Sequence, residues 1–161
     1  MFFAFKEPLF QADTTNLDII NMVKGSIAKK SNSPKFCYAH FIMPHSPYFR
    51  DSTGQLINKL NQPWRNLNDT MYFIPYLKYA NSVIKFLTDE IVLKDPGAIT
   101  IVMSDHGFRK EYKEKYYAAA FDNICAVRLP GNNLLPFQNS KSGVNFFRYL
   151  FNSQYGQQIP Y

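Results

Sequence analysis

The stretch ITIVMSDHG, residues 99–107, is a β-branched apolar run that stops at an acid, an imidazole and a glycine. Its length and continuous apolarity are those of a strand covered on both faces. How that strand is paired decides the fold. A second run of the same kind lies upstream. KFCYAHFIM, residues 35–43, is nearly continuous in apolar residues and ends in PHSPY, where two prolines forbid continuation within a central strand. Between the two runs, Tyr76, Ala80, Val83, Ile84, Leu87 and Ile91 form one helical stripe over residues 75–94. Pro75 suits a first helical turn, and the DPG at 95–97 stops the helix. Strand, helix and strand in that order predict a right-handed βαβ unit.

Outward from this unit the pattern continues. Leu17, Ile20, Val23 and Ile27 fall at helical spacing, with residues 14–16 suited to capping its start and KKSNSP at 29–34 ending it. Residues 1–13 read as an irregular lead-in, and 49–70 and 104–116 as polar loops. NICAVRLP, residues 123–130, is a further strand. NSKSGVNFFRYLFN, residues 139–152, is a capped helix with Val144, Phe147, Leu150 and Phe151 as its apolar face. The expected fold class is α/β: part of a doubly wound, mostly parallel sheet with helices on both faces, in a single domain over residues 1–161.

Composition narrows the classes of function. At 161 residues the chain is long enough to bury a core. The net charge of +6 comes from Lys and Arg spread along the chain, densest at Lys110, Lys113 and Lys115. No arginine-rich tract or zinc-finger spacing accompanies them, so no nucleic-acid partner is expected. Cys37 and Cys125 both fall in apolar runs, which predicts buried free thiols rather than a disulfide framework. No apolar run approaches the roughly 18 residues of a membrane span. The start, MFFAFKEPLF, carries Lys6 and Glu7 and lacks a small-residue cleavage site, so it is a poor signal peptide.

In open α/β sheets, ligands bind beyond the carboxyl ends of the strands. On the parallel reading, one strand delivers His45 to that edge and the other delivers Asp105 and His106. A carboxylate beside an imidazole suits zinc or manganese, with magnesium or calcium possible but less favoured because both prefer oxygen. Gly107 lets the backbone turn sharply after the pair. His45 either joins the metal or contacts the oxygens of a phosphate or sulfate ester. The plainer alternative is that Asp-His-Gly is a polar turn, and that His40, within the first run, is a hydrogen-bonded core histidine. Two donors also fall short of a catalytic metal site, which needs at least three plus an open position.

PKFCYAHFIMPHSPYFRDSTG, then a long helix and ITIVMSDHG, resembles the sulfatase-like part of the alkaline phosphatase superfamily. SKSGVNFFRYLFNSQYG looks like the closing helix of bacterial members. The likeness covers roughly residues 16–161. It implies that Asp105 and His106 are metal ligands and that His45 contacts the ester oxyanion or the metal. It places Arg109 or Lys110 near an anionic substrate. The activity implied is metal-dependent hydrolysis or transfer of phosphate or sulfate esters, in a parent protein anchored to a membrane and facing the cell envelope. Asp-His rather than Asp-Asn leans toward the phosphotransferase and phosphodiesterase branches.

The chain departs from that pattern in lacking a nucleophile. Thr14 and Thr15 follow no buried strand, neither cysteine has the setting that formylglycine formation requires, and Ser104 is wrongly placed in chain order. The chain is therefore expected to be the carboxyl-terminal portion of a larger sulfatase-like catalytic domain, inactive by itself and pairing with an amino-terminal half or with itself. The alternative is a truncated relative that serves as a non-catalytic binding or scaffold module.

Overall fold

The structure is a computed structural model that describes residues 12–57, 70–109, 111–112, 115–116, 118–132 and 143–161. Among the described residues it is dominated by three helices, α1 (Ala12–Ala28), α2 (Thr70–Lys94) and α3 (Gly143–Tyr155). Four short strands accompany them among those residues: β1 (Thr100–Met103), β2 (Glu111–Tyr112), β3 (Lys115–Tyr116) and β4 (Cys125–Arg128).

The doubly wound parallel sheet is not what forms. Among the described residues, β1 pairs with β4 antiparallel, in the register Thr100↔Arg128 to Met103↔Cys125, and β2 pairs with β3 as a small antiparallel hairpin. The linkage between β1 and β4 explains the direction. A parallel pair needs a crossover of a dozen or more residues, usually a helix, that returns the chain to its starting edge. Here the described residues of the connection hold two two-residue strands and a three-residue 3-10 turn, Ala118–Ala120, with no crossover helix among them, and the chain doubles back instead.

Residues 35–43 do not form a strand either, which removes the βαβ unit. The Ile42 amide, which a ladder would use, donates to Asn16 Oδ1 of α1 at 2.8 Å. Phe36 and Tyr38 are 93% and 69% exposed, so the run is not covered on two faces. Cys37 and Cys125 are exposed rather than buried, because neither the run nor the first half of β4 has a layer over it. His40 is also exposed, with its Nδ1 3.2 Å from the Tyr38 hydroxyl, and is not a core histidine.

The core lies between the helices and the end of that run. Met43, Tyr48, Phe49, Tyr76 and Ala80 are buried together, with Ile20, Phe41, Tyr72, Phe73, Tyr79 and Val83 packed against them. α1 packs against α2. The α2 stripe behaves as its spacing predicts, burying Tyr76, Ala80 and Leu87 and ending at Lys94 before the DPG turn. The helix begins at Thr70, however, which leaves Pro75 inside it rather than in the first turn. α1 likewise begins before the expected cap, and Asn16 is a buried interior residue, 3% exposed.

Two polar devices tie loops to this core. Arg50 donates from Nε and Nη2 to the two carboxylate oxygens of Asp13, and from Nη1 to the Gly54 carbonyl. This closes the turn whose ends meet at the Arg50↔Leu56 bridge, within the loop expected over 49–70; residues 58–69 lie outside the described residues. Arg128 of β4 donates to the Ala98 and Pro96 carbonyls. α3 buries Phe146 and Leu150, while Val144, Phe147 and Phe151 are exposed, so its inward face is turned from the expected one. Gly156, at φ 61°, ends α3 in the left-handed conformation that glycine adopts without strain.

Candidate functional site

The Asp105-His106-Gly107 turn follows β1 directly. Ser104 anchors it to the start of β4: its amide donates to the Ile124 carbonyl, and its Oγ accepts the Ile124 amide, both at 3.0 Å. That hydroxyl ties the turn to the start of β4. Gly107 then donates its amide to the Ala120 carbonyl at 2.9 Å. A Cβ at Gly107 would lie 2.0 Å from the Ala119 carbonyl oxygen and 2.4 Å from that of Asp122. Glycine is required here for close backbone approach.

Within the turn, His106 Nδ1 lies 2.6 Å from the Gly107 carbonyl oxygen. A carbonyl only accepts, so Nδ1 carries the proton and the neutral ring keeps its lone pair on Nε2. The Asp105 carboxylate accepts the His106 amide through Oδ1 at 3.0 Å and brings Oδ2 to 3.7 Å from Nε2. Two ligands of one tetrahedral metal at zinc distances sit about 3.4 Å apart. The Asp105 side chain is 87% exposed and that of His106 26%, so the carboxylate is open to solvent and the imidazole is held.

His45 repeats the arrangement. It lies in a turn closed by its own amide donating to the Ile42 carbonyl, and its Nδ1 donates to the Ser46 carbonyl at 2.5 Å. Its Nε2 therefore also carries the lone pair in the neutral ring. Metal-binding histidines usually donate their other ring N–H to a carbonyl or carboxylate in this way.

The elements bring Asp105 and His106 together; they do not join His45 to them as a ligand group. Among the described residues, no group of three or more His, Cys, Asp or Glu side chains is placed to hold a metal ion. Asp105 and His106 thus supply two donors, fewer than the three that a catalytic metal site needs. Arg109 is exposed just beyond the turn; Lys110 lies outside the described residues.

Phe73 and Phe108 are missed by a reading of the sequence for polar ligands. Phe108 stacks on Phe73 of α2 with ring centroids 4.3 Å apart, and Phe73 meets Tyr48 edge-on at 5.9 Å. The available signal was position alone: Phe108 directly follows Gly107, and Phe73 precedes Tyr76 by one helical turn on α2.

No family model matches the chain, and comparison with curated proteins and with solved structures gives no significant match. No described helix is long and apolar enough to cross a membrane.

Proposed function

We propose that the chain carries the metal- and oxyanion-binding part of a sulfatase-like hydrolase or transferase acting on phosphate or sulfate esters. The observation that carries the reading is the shared tautomer. His45 and His106 each have Nδ1 bound to a backbone carbonyl, which leaves Nε2 to a ligand, and Asp105 Oδ2 stands 3.7 Å from one of those nitrogens. The parallel edge that would have joined His45 to this pair does not form, so the reading rests on the Asp105–His106 turn and the two imidazole contacts.

Asp105 and His106 would hold a zinc or manganese ion, which when bound polarises an ester oxygen and neutralises developing charge. Asp105 contributes the negative charge, and Gly107 fixes the imidazole plane through its carbonyl. His45 has two chemically distinct uses. As a neutral ring it offers a lone pair to a metal; to donate to an ester oxygen it must also be protonated at Nε2. Arg109 supplies positive charge beside the pair. A nucleophile and further ligands would have to come from outside the Asp105–His106 turn.

Calorimetric titration with zinc and with manganese tests the assignment. Binding that falls at least tenfold in Asp105→Ala and again in His106→Ala supports it. Unchanged binding in the double variant overturns it.

The second reading is a non-catalytic module that docks on another protein. Phe36, Phe121 and Val144 are 93%, 80% and 76% exposed, and such side chains mark a site of association where they join into one contiguous patch. Turnover of an aryl phosphate or sulfate by the purified chain, abolished in His106→Ala, decides against this module.

A further inference from the structure

Where α3 ends, the chain folds back along it. Gly156 makes the turn at φ 61°, and the Gln157 amide donates to the Phe151 carbonyl at 3.3 Å. Asn152, in the last turn of the helix, then takes both backbone groups of Ile159. Its Nδ2 donates to the Ile159 carbonyl and its Oδ1 accepts the Ile159 amide, each at 2.9 Å. A residue of a neighbouring antiparallel strand would make the same two bonds. One helical turn earlier, Tyr149 stacks on Tyr161 with ring centroids 4.4 Å apart and 28° between the planes. Pro160 stands between the two contacts and disfavours helical backbone at Ile159, which biases the segment toward an extended form.

Asn152 is the informative residue. Asparagine is a poor helix former, because its side chain competes for nearby backbone groups. Here that side chain serves backbone outside the helix. A primary amide bonded in this way reads main chain and is indifferent to the side chain at 159, while the Tyr149 ring selects an aromatic two positions on. Extended peptides are recognised by such a division, main-chain bonds for affinity and alternate side chains for specificity. The segment is also lightly held. Gln157, Gln158, Pro160 and Tyr161 are exposed, and Ile159 is only half-buried. Segments with few buried contacts open at low free-energy cost.

We infer that Asn152 and Tyr149 form a docking site for an extended peptide of the apolar–proline–aromatic class, which residues 159–161 occupy as a detachable strap. When the strap lifts, the site takes the same motif from another polypeptide. A site occupied within its own chain binds such a partner more weakly, by the fraction of the time that it is open. The inference is independent of the metal reading above.

The test measures binding of a labelled peptide, GQQIPY blocked at both ends, to the full chain by fluorescence anisotropy. Ile159→Pro removes the amide that Asn152 accepts and frees the strap, but leaves Asn152 and Tyr149 in place. It is expected to bind the peptide at least tenfold more tightly than the wild type, with unchanged helical circular dichroism. Adding Asn152→Ala should abolish that binding, and replacing the peptide's tyrosine by alanine should weaken it at least tenfold. Should Ile159→Pro lose helix, Tyr161→Ala opens the strap by removing only the stacked ring and carries the same expectation.

A purely structural fold-back gives no binding of the peptide from outside. Its absence in a folded variant whose strap is free, judged by the Tyr149 ring shifts in NMR, overturns the proposal. Binding that survives Asn152→Ala does so too, because the peptide would then sit elsewhere. A strap still seated in both opening variants also overturns it, since neither the amide nor the ring would be what holds the segment.

Discussion

Arg50 grips Asp13 with two parallel hydrogen bonds of 2.7 Å, across 37 residues of chain, with both side chains about seven-eighths buried. The fork ties the first turn of α1 to the turn over residues 50–56 and, through the Tyr79 ring beneath the guanidinium, to α2. Removing one partner leaves the other charge part-buried without its ion partner, which costs about 1–3 kcal/mol. Asp13→Ala and Arg50→Ala are therefore expected to lower stability by that amount in urea unfolding. Arg50→Lys keeps the charge but loses the planar fork, and should fall between. The Asp13 carboxylate raises the guanidinium pKa further, so alkali removes the positive partner only beyond any working pH. Equal stability of wild type and Arg50→Ala would show that the clasp contributes nothing.

Gly107→Ala should damage the turn more than a surface glycine would suggest. The new methyl meets two backbone carbonyls rather than a movable side chain. Overpacking of this kind costs roughly 1–3 kcal/mol or more. His106 should lose its set orientation at the same time, and zinc affinity should fall with stability. Gly143→Ala, whose added Cβ meets nothing within 4 Å, is the control.

Asp51 organises its own turn. Its Oδ1 accepts the Thr53 hydroxyl at 2.7 Å, the Thr53 amide at 2.8 Å and the Gln55 amide at 3.0 Å. The Thr53 hydroxyl is the largest cause of a carboxyl pKa below the usual aspartate value. A depressed folded pKa contributes order that is present above the unfolded value and lost as pH falls through the folded one. The Gln55 amide shift should thus move below the ordinary aspartate range, under about pH 4. In Asp51→Asn that acid transition should vanish.

Tyr76 should resist ionisation. Its side chain is nearly inaccessible, and burial, aided by the Asp13 carboxylate, pushes the phenol well above the ordinary tyrosine value. A group that binds its proton more tightly when folded contributes stability that is lost as pH rises past the unfolded pKa, about 10. Phenolate absorbance should show one tyrosine that ionises only together with loss of helical circular dichroism. In Tyr76→Phe that coupled step should disappear.

Much of the local structure was legible in the residues. The α2 stripe and its stop at residues 95–97, the existence of α1 and α3, and the two short strands β1 and β4 all follow from periodicity and punctuation. Asp105, His106 and His45 stood out by their chemistry at the ends of apolar runs, and each lies in a turn. The buried face of α3 was misread because Phe146 and Phe147 are adjacent and equally apolar, so periodicity alone did not choose between them. Asn16 was read as a cap because short polar side chains favour that position, yet a tertiary acceptor was needed for the Ile42 amide.

What the sequence by itself determined was the set of segments that favour helix or strand and the polar groups at their ends, because those preferences act between residues a few positions apart. Only the tertiary structure decided that β1 turns back on β4, that residues 35–43 join no sheet, that both cysteines are exposed, and that Phe73 lies between the two histidine turns. Each of these depends on which distant surface meets which. A side chain's own preferences do not carry that information, because a run that can pair in either direction takes the one its connection and its neighbours allow.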